Sequence, residues 1–493
     1  MSETACGDPR AAPRSARWRL LEIDPRSLGL FRIGIGSVLV VDLVQRLGDW
    51  RNHYTDWGVM PRDAVLAWIG DSARASLHLW SDAPAWSLGL FAAHLAAAAA
   101  LALGWHARVA TVACWLLTAS LHSRDPAVVQ GGDNLLRILL FWSMFLPLGA
   151  RFSLDSRRRR GAAAAPAAMP SLAILLQVCL VYWATVVHKW TPAWLGERSA
   201  VAMALELDYL TTSWGRLLAG IPALLPWLTT ATVALEAIGP LLAWSPWATG
   251  PLRFALVLVF VEFHVLGLGA ALHLGLFPWV SACAWLLFLP PWFWWRIARR
   301  ERREEPATAG GDAPHAPAAL RRLRDAMVVA LLTWVLLLNL ASFDTEGEGI
   351  SLPPVVQAGA RVLGIHQAWQ MFAPTPPQED GWFVMPGLLE SGEVVDVWTG
   401  GEVRWEKPAD VAAAYRNQRW NKLLSNLSMS RYSGLRPPFV RWLCRDWNQR
   451  APSGGRLTRV DLYFVMERFV APEAPPERLF LLGAVCDLEG AGS

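Results

Sequence analysis

Apolar runs long enough to cross about 30 Å of hydrocarbon recur along the chain near residues 27–46, 86–104, 107–121, 133–149, 169–189, 219–243, 251–270, 277–295 and 326–343. They predict about nine transmembrane helices, of which the third is short and the first carries charges. Between the fifth and sixth runs, the stretch from Ser199 to Leu218 is less apolar and holds Glu206, Asp208 and Arg216, which predicts an interfacial or re-entrant helix. After Phe343 the pattern changes. Gly, Pro and Asp become frequent, and alternating stretches at Trp382–Leu389, Glu393–Trp398 and Arg459–Met466 predict strands around a helix at Val411–Leu427. The expected fold class is an all-α polytopic membrane bundle followed by a small α+β C-terminal domain.

Composition agrees with a bilayer as the solvent, since 54% of the 493 residues are hydrophobic and only 17% charged. The net charge of +4 is small. Arginines sit in short clusters at helix ends rather than in a stripe interleaved with exposed aromatics, which argues against nucleic acid as a partner. Those clusters report orientation instead, because short cytoplasmic loops are enriched in Lys and Arg. With Arg10, Arg14, Arg17 and Arg19 inside, nine spans also put Arg157 to Arg160 and the loop from Arg296 through Arg324 inside. The same parity makes the C-terminal domain extracytoplasmic. The expected layout is a cytoplasmic tail (1–23), a membrane domain (24–300), a flexible cytoplasmic linker (301–325), a last transmembrane helix (326–343) and the extracytoplasmic domain (344–493). Residues 1 to 25 are polar and show no short apolar segment before a cleavage site, so the first apolar run is expected to stay as a membrane helix.

Cys114, Cys179 and Cys283 fall in predicted spans and Cys6 in the N-terminal tail. No CxxC pair or His spacing predicts a metal site. Cys444 and Cys486 both fall in the domain placed outside, where oxidation is permitted, and are a candidate disulfide.

Ionisable groups inside membrane helices are costly and mark the candidate chemistry. Arg32, Asp42, Asp133 and Arg137 are expected to form interhelical ion pairs. His188, Glu236, Glu262 and His273 are expected to line a cavity, although Glu262 and His264 stand about 200° apart on their helix and cannot face it together. Lys189 is the most informative of these groups. Lysine occurs at only three positions, Lys189, Lys407 and Lys422, and Lys189 is the only one in the membrane region. A desolvated ammonium can give up its proton and serve as a base, which an arginine cannot; a lysine at a helix end can equally snorkel to the headgroups.

A series of motifs resembles HTTM-domain proteins, the membrane domain shared with vitamin K-dependent γ-glutamyl carboxylase. They are Asp24-Pro-Arg-Ser-Leu-Gly-Leu-Phe-Arg-Ile33, His53-Tyr-Thr-Asp-Trp-Gly-Val-Met-Pro-Arg62, Ser123-Arg-Asp-Pro126, Phe152-Ser-Leu-Asp155, His188-Lys-Trp-Thr-Pro-Ala-Trp-Leu-Gly196, Glu236 ahead of Gly239-Pro240, and Phe263-His264 ahead of Gly275-Leu-Phe-Pro278. The tail resembles the extension of bacterial members at Trp369-Gln-Met-Phe-Ala-Pro374, Asp380-Gly-Trp-Phe383 and Asn417-Gln-Arg-Trp420, which implies the bacterial cell (inner) membrane. By this resemblance Lys189 is the catalytic base that deprotonates a reduced vitamin K or another membrane quinol. Oxygen chemistry would then generate a stronger base that removes a glutamyl γ-proton from a protein or peptide substrate, and His264 matches a second site position. Two departures stand against full carboxylase chemistry. Gly149-Ala-Arg151 replaces a stretch that carries a functional histidine in the carboxylase, and the C-terminal 150 or so residues do not resemble its propeptide-capturing region. A non-catalytic membrane partner in maturation, export or immunity, and a transporter, stay open as alternatives.

Overall fold

The computed structural model describes residues 20–70, 75–158, 166–297, 317–343, 350–452, 454–469 and 474–486. Most of the expected cytoplasmic tail and linker, with Cys6, Arg159 and Arg160, lies outside the described residues.

Helix α1 (Pro25–Gly48) starts where its sequence says it should. The Asp24 carboxylate accepts a hydrogen bond from the Arg26 N–H and Pro25 opens the first turn. The bundle continues with α2 (Pro84–Leu103), α3 (Ala107–Arg124), α4 (Gly131–Ser143), α5 (Ala168–His188), α6 (Leu225–Leu242), α7 (Thr249–Glu262), α8 (Phe277–Trp285) and α9 (Ala318–Ser342). Among the described residues, six helices are long and apolar enough to cross a membrane: α1, α2, α5, α6, α9, and α7 together with the wider π-helical turn that carries it to Gly269. This is a multi-pass membrane protein, with fewer such helices than the nine runs predicted. The difference falls on α3, which carries Arg108, His122 and Arg124, on α4, which has 13 residues, and on α8, which has nine. Of these α4 packs inside the bundle, while α3 and α8 each turn one face outward, with Val109, Leu116 and Trp279 exposed. Almost every residue of α4 from Gly132 to Ser143 is buried by protein, and an enclosed helix needs neither lipid-matched length nor uniform apolarity.

Polar contacts tie the elements together at two opposite ends. At one, Ser27 Oγ donates to the Leu289 carbonyl, Arg32 donates to the carbonyls of Leu101, Ala102 and Phe152, and Arg253 donates to that of Leu20. At the other, the end of α1, the start of α4 and the C-terminal region meet. The Ser199–Leu218 stretch lies at this second end as two seven-residue helices, Ala200–Glu206 and Ser213–Ala219, joined to the bundle by a bridge between Thr211 and Leu272.

The C-terminal region is an antiparallel sheet with helices packed on it. Its long strand β4 (Leu457–Arg468) is flanked on one edge by β5 (Glu477–Val485) and on the other by β1 (Glu379–Val384) and then β2 (Pro386–Leu389), with β3 (Val394–Asp396) outside β2. The expected helix at 411–427 is broken. Arg416 takes a φ of 61° and the Asn417 side chain caps a new helix, α10 (Gln418–Ser428), by accepting from the N–H groups of Arg419 and Trp420. Neither α11 (Arg436–Arg450) nor β5 was expected from the sequence pattern. Cys444 on α11 and Cys486 after β5 are joined as a disulfide, with Cα atoms 5.5 Å apart.

The core of this region is shared with the bundle. Trp382, Trp420, Leu424 and Phe439 cluster with Val59, Met60, Leu79 and Val128, which come from the loops after α1 and α3. The chain before β1 also enters the bundle, since Ile365 and Trp369 belong to the same apolar cluster as Leu139 and Ile174.

Candidate functional site

Helices of the bundle, the Ser199–Leu218 stretch and the tail close around a cavity of about 490 Å³ at the end of the bundle that faces the sheet. Its walls are mostly apolar, with Leu205, Leu218, Leu228, Leu235, Phe263 and Leu268 among them. That volume and character suit a small ligand rather than water.

Lys189 caps the C-terminus of α5, its N–H donating to the carbonyls of Thr185 and Val186. From there its Nζ crosses to α6 and donates to both oxygens of Glu236, at 2.9 and 2.7 Å, with both side chains buried. The Trp194 ring, on a π-helical turn (Pro192–Gly196), lies 4.1 Å from the ammonium. Pro240 sits inside α6 four residues after Glu236 and cannot donate to its carbonyl, so the helix is interrupted where the carboxylate is needed. Gly239 beside it is required by packing: a Cβ there would come within 2.6 Å of the Phe260 ring.

Phe260 in turn holds His264. The His264 Nδ1 lies 2.7 Å from the Phe260 carbonyl and must donate to it, which leaves Nε2 to accept from the Tyr182 hydroxyl at 3.3 Å. Tyr182 itself accepts from the Trp285 Nε1 at 2.8 Å. The chain of Trp285, Tyr182 and His264 fixes one tautomer and one ring orientation on the cavity wall.

The other predicted residues separate. His273 lines the cavity from the loop after α7, where its carbonyl accepts from Gln418 Nε2. Glu262 does not line it: it is exposed on the opposite side of α7 from His264, as the angle between them requires. His188 points away as well, its ring 5.3 Å from that of Phe343. Of the four residues expected to pair with one another, Arg32 and Arg137 instead bind carbonyls, Arg137 donating to Gly364 at 2.8 Å. Asp42 and Asp133 find different partners. Arg46 bridges them at 2.7 and 2.6 Å, and Arg419 from α10 reaches both as well. Buried carboxylates need full compensation, and an arginine from the tail supplies it better than Arg32, whose position on α1 lies at the other end of the bundle.

Sequence reasoning missed the residues that the tail adds. Met371 and Phe372 line the cavity, and the Phe372 carbonyl accepts from Trp194 Nε1 at 3.1 Å. Helix α10 contributes Gln418, Asn421, Lys422 and Ser425. Lys422 had a signal, because the lysine scarcity that singles out Lys189 applies to it equally: two of the chain's three lysines line one cavity. Burial pushes the Lys422 ammonium below its ordinary range, helped by the nearby charge of Arg431. Burial and the charge of Asp380 push the Tyr209 phenol on the same wall up to about 12.

A family model of the HTTM domain matches residues 21–294, more than half of the chain. The chain belongs to the HTTM domain family. In this HTTM protein the match takes in α1 to α8 and with them Lys189, Glu236 and His264, while the tail that roofs the cavity lies beyond it. Neither the curated proteins nor the solved structures give a match to it.

Proposed function

We propose that this integral membrane protein is an enzyme in which Lys189 and Glu236 act together as a base on a lipid-soluble quinol, in the manner of vitamin K-dependent carboxylases. What carries the reading is the buried Lys189–Glu236 pair opening into an apolar cavity. A reduced vitamin K or related quinol would supply the reducing equivalents for oxygen. The apolar walls suit a ring on an isoprenoid chain, and the pair is a polar feature such a ring would address. To act as a base Lys189 would pass its proton to Glu236, both of whose carboxylate oxygens its Nζ already contacts. Trp194 packs over the Lys189 ammonium and covers the pair on that side. Tyr182 and His264 hold the opposite wall in one orientation.

The test is to incubate purified protein in nanodiscs with reduced vitamin K and oxygen and to look for the quinone epoxide by mass spectrometry. Epoxide from the wild type and none from Lys189→Arg or Glu236→Gln is the expected result. No epoxide above a protein-free control would sink the reading. A second reading, a non-catalytic membrane partner in maturation, export or immunity, is favoured by the completeness of the Lys189–Glu236 pair, which satisfies itself without a substrate. Under it, Lys189→Arg would keep full cellular function.

The proposal puts the cavity on the extracytoplasmic side of the cell membrane. It is supported by Arg151, whose backbone packs on Gly29 near the start of α1, and by Arg108 and Arg324, which share one pocket with Asp155, all toward the end away from the sheet. Reporters fused after Arg160 and after Ser493 should read opposite sides.

A further inference from the structure

Charge on the cavity wall does not balance. Lys189 and Glu236 cancel, and the one further formally charged residue among the described lining residues is Lys422. Helix α10 presents Gln418, Asn421, Lys422 and Ser425 at the spacing of a single helical face. Three of these are spent on holding the tail in place: Gln418 donates to the His273 carbonyl at 2.7 Å, Asn421 donates to the Tyr209 carbonyl at 2.6 Å, and Ser425 bonds the Tyr209 side chain. Lys422 makes no hydrogen bond or ion pair with any described residue. Lys422 is half-buried in this wall, and a half-buried ammonium without a protein partner is open to an anion entering the cavity. Most of the remaining cavity lining is apolar, with leucine and phenylalanine prominent.

We infer that Lys422 is an anion-binding residue, and that the cavity takes an amphiphile with one acidic group held at the tail and its apolar part lying along the bundle. The acid is held by a residue outside the family-matched region and the apolar part lies against Leu228, Leu235, Phe263 and Leu268, a ligand distinct from the neutral quinol. The inference rests on the proposed reading only in taking this cavity as the binding site; it does not require Lys189 to be a base. Carboxylate and phosphate are equally matched by a single ammonium, which offers a point charge rather than a bidentate fork. A charge-assisted hydrogen bond of this kind changes affinity by about 10- to 100-fold.

Binding is measured on the full chain in nanodiscs of neutral lipid, with three fluorescent probes sharing one twelve-carbon chain: a carboxylate, a monophosphate and an alcohol. The expected result is that one or both acids bind at least 10-fold tighter than the alcohol, and that Lys422→Met removes the preference while alcohol binding stays within twofold. Lys422→Arg should retain most of it. Which acid is preferred distinguishes a fatty acid from a phospholipid source. Equal binding of acid and alcohol to the wild type would overturn the inference, as would an undiminished preference in Lys422→Met. Loss of all three probes together in that variant would make Lys422 a packing residue and overturn it too. Lys189→Met separates the two proposals: it should abolish epoxide formation yet keep the preference for the acid.

Discussion

Two buried charge clusters sit at the same end of this bundle and are built to opposite effect. Asp42, Arg46, Asp133 and Arg419 hold two carboxylates and two guanidinium groups, each carboxylate shared between arginines at 2.5 to 2.9 Å. Tyr54 completes the shell by accepting from Arg46. In that cluster every charge has a partner. Lys189 and Glu236 are also paired, but they line a 490 Å³ cavity, and Lys422, without a partner among the described residues, lines it too. An ionisable residue in a membrane helix is thus no guide to chemistry by itself. The cavity beside it is what separates a lock from a site.

The largest effect should come from breaking the lock. Arg419→Ala leaves two buried carboxylates sharing one arginine, and uncompensated buried charge costs about 3–5 kcal/mol. Thermal unfolding in detergent should show this loss, together with protease sensitivity in the tail, since Arg419 is the tail's contribution to the cluster. A change below about 1 kcal/mol would mean that the cluster is not what seats the tail.

A second contact at the same junction makes the seating depend on pH. The Asp380 carboxylate accepts from the N–H groups of Asp208 and Gly381, yet burial outweighs those bonds and pushes it up to about 6. A carboxyl raised in the folded state keeps its proton longer than in the unfolded chain. Its stabilisation is therefore full below about pH 4 and is lost as pH rises toward 6, a span of about 3 kcal/mol at most. Unfolding of the tail at pH 4.5 and at pH 7 should differ by more in the wild type than in Asp380→Asn, and identical slopes would refute the assignment.

The cavity pair should behave differently from the lock. In Lys189→Met the stranded Glu236 can take up a proton from a ligand-sized space, so the stability loss should be about 1–2 kcal/mol, well short of that for Arg419→Ala. Quinol-dependent activity should vanish all the same. A loss of 4 kcal/mol or more would make Lys189 a structural partner of the same kind as Arg46.

Much of this was legible in the chain. The apolar runs located the membrane helices, and lysine scarcity together with the motif at His188–Gly196 located the cavity. For α3, α4 and α8 the apolar runs predicted spans where the helices fall short in length or apolarity. Helix α4 is enclosed by protein, whose burial leaves the same composition as lipid does. It misjudged the ion pairs because Arg419 lies 377 residues from Asp42 and belongs to what looked like a separate domain. Val59, Met60 and Val128 completing the core of the tail had no local signature, since only the fold brings those loops under α10.

Glu262 is where the comparison can be sharpened most cheaply. It is an acid in a membrane helix two residues from His264, and by sequence alone it ranked with Glu236. In the fold it points out of the bundle while His264 points in. Glu262→Gln should change stability by no more than about 0.5 kcal/mol and leave both the epoxide assay and the acid preference at wild-type levels. Glu236→Gln, with the same change of chemistry on the neighbouring helix, should abolish the first. Equal losses from the two substitutions would show that position on the cavity wall does not decide which intramembrane acid matters, and the distinction drawn between lock and site would fall with it.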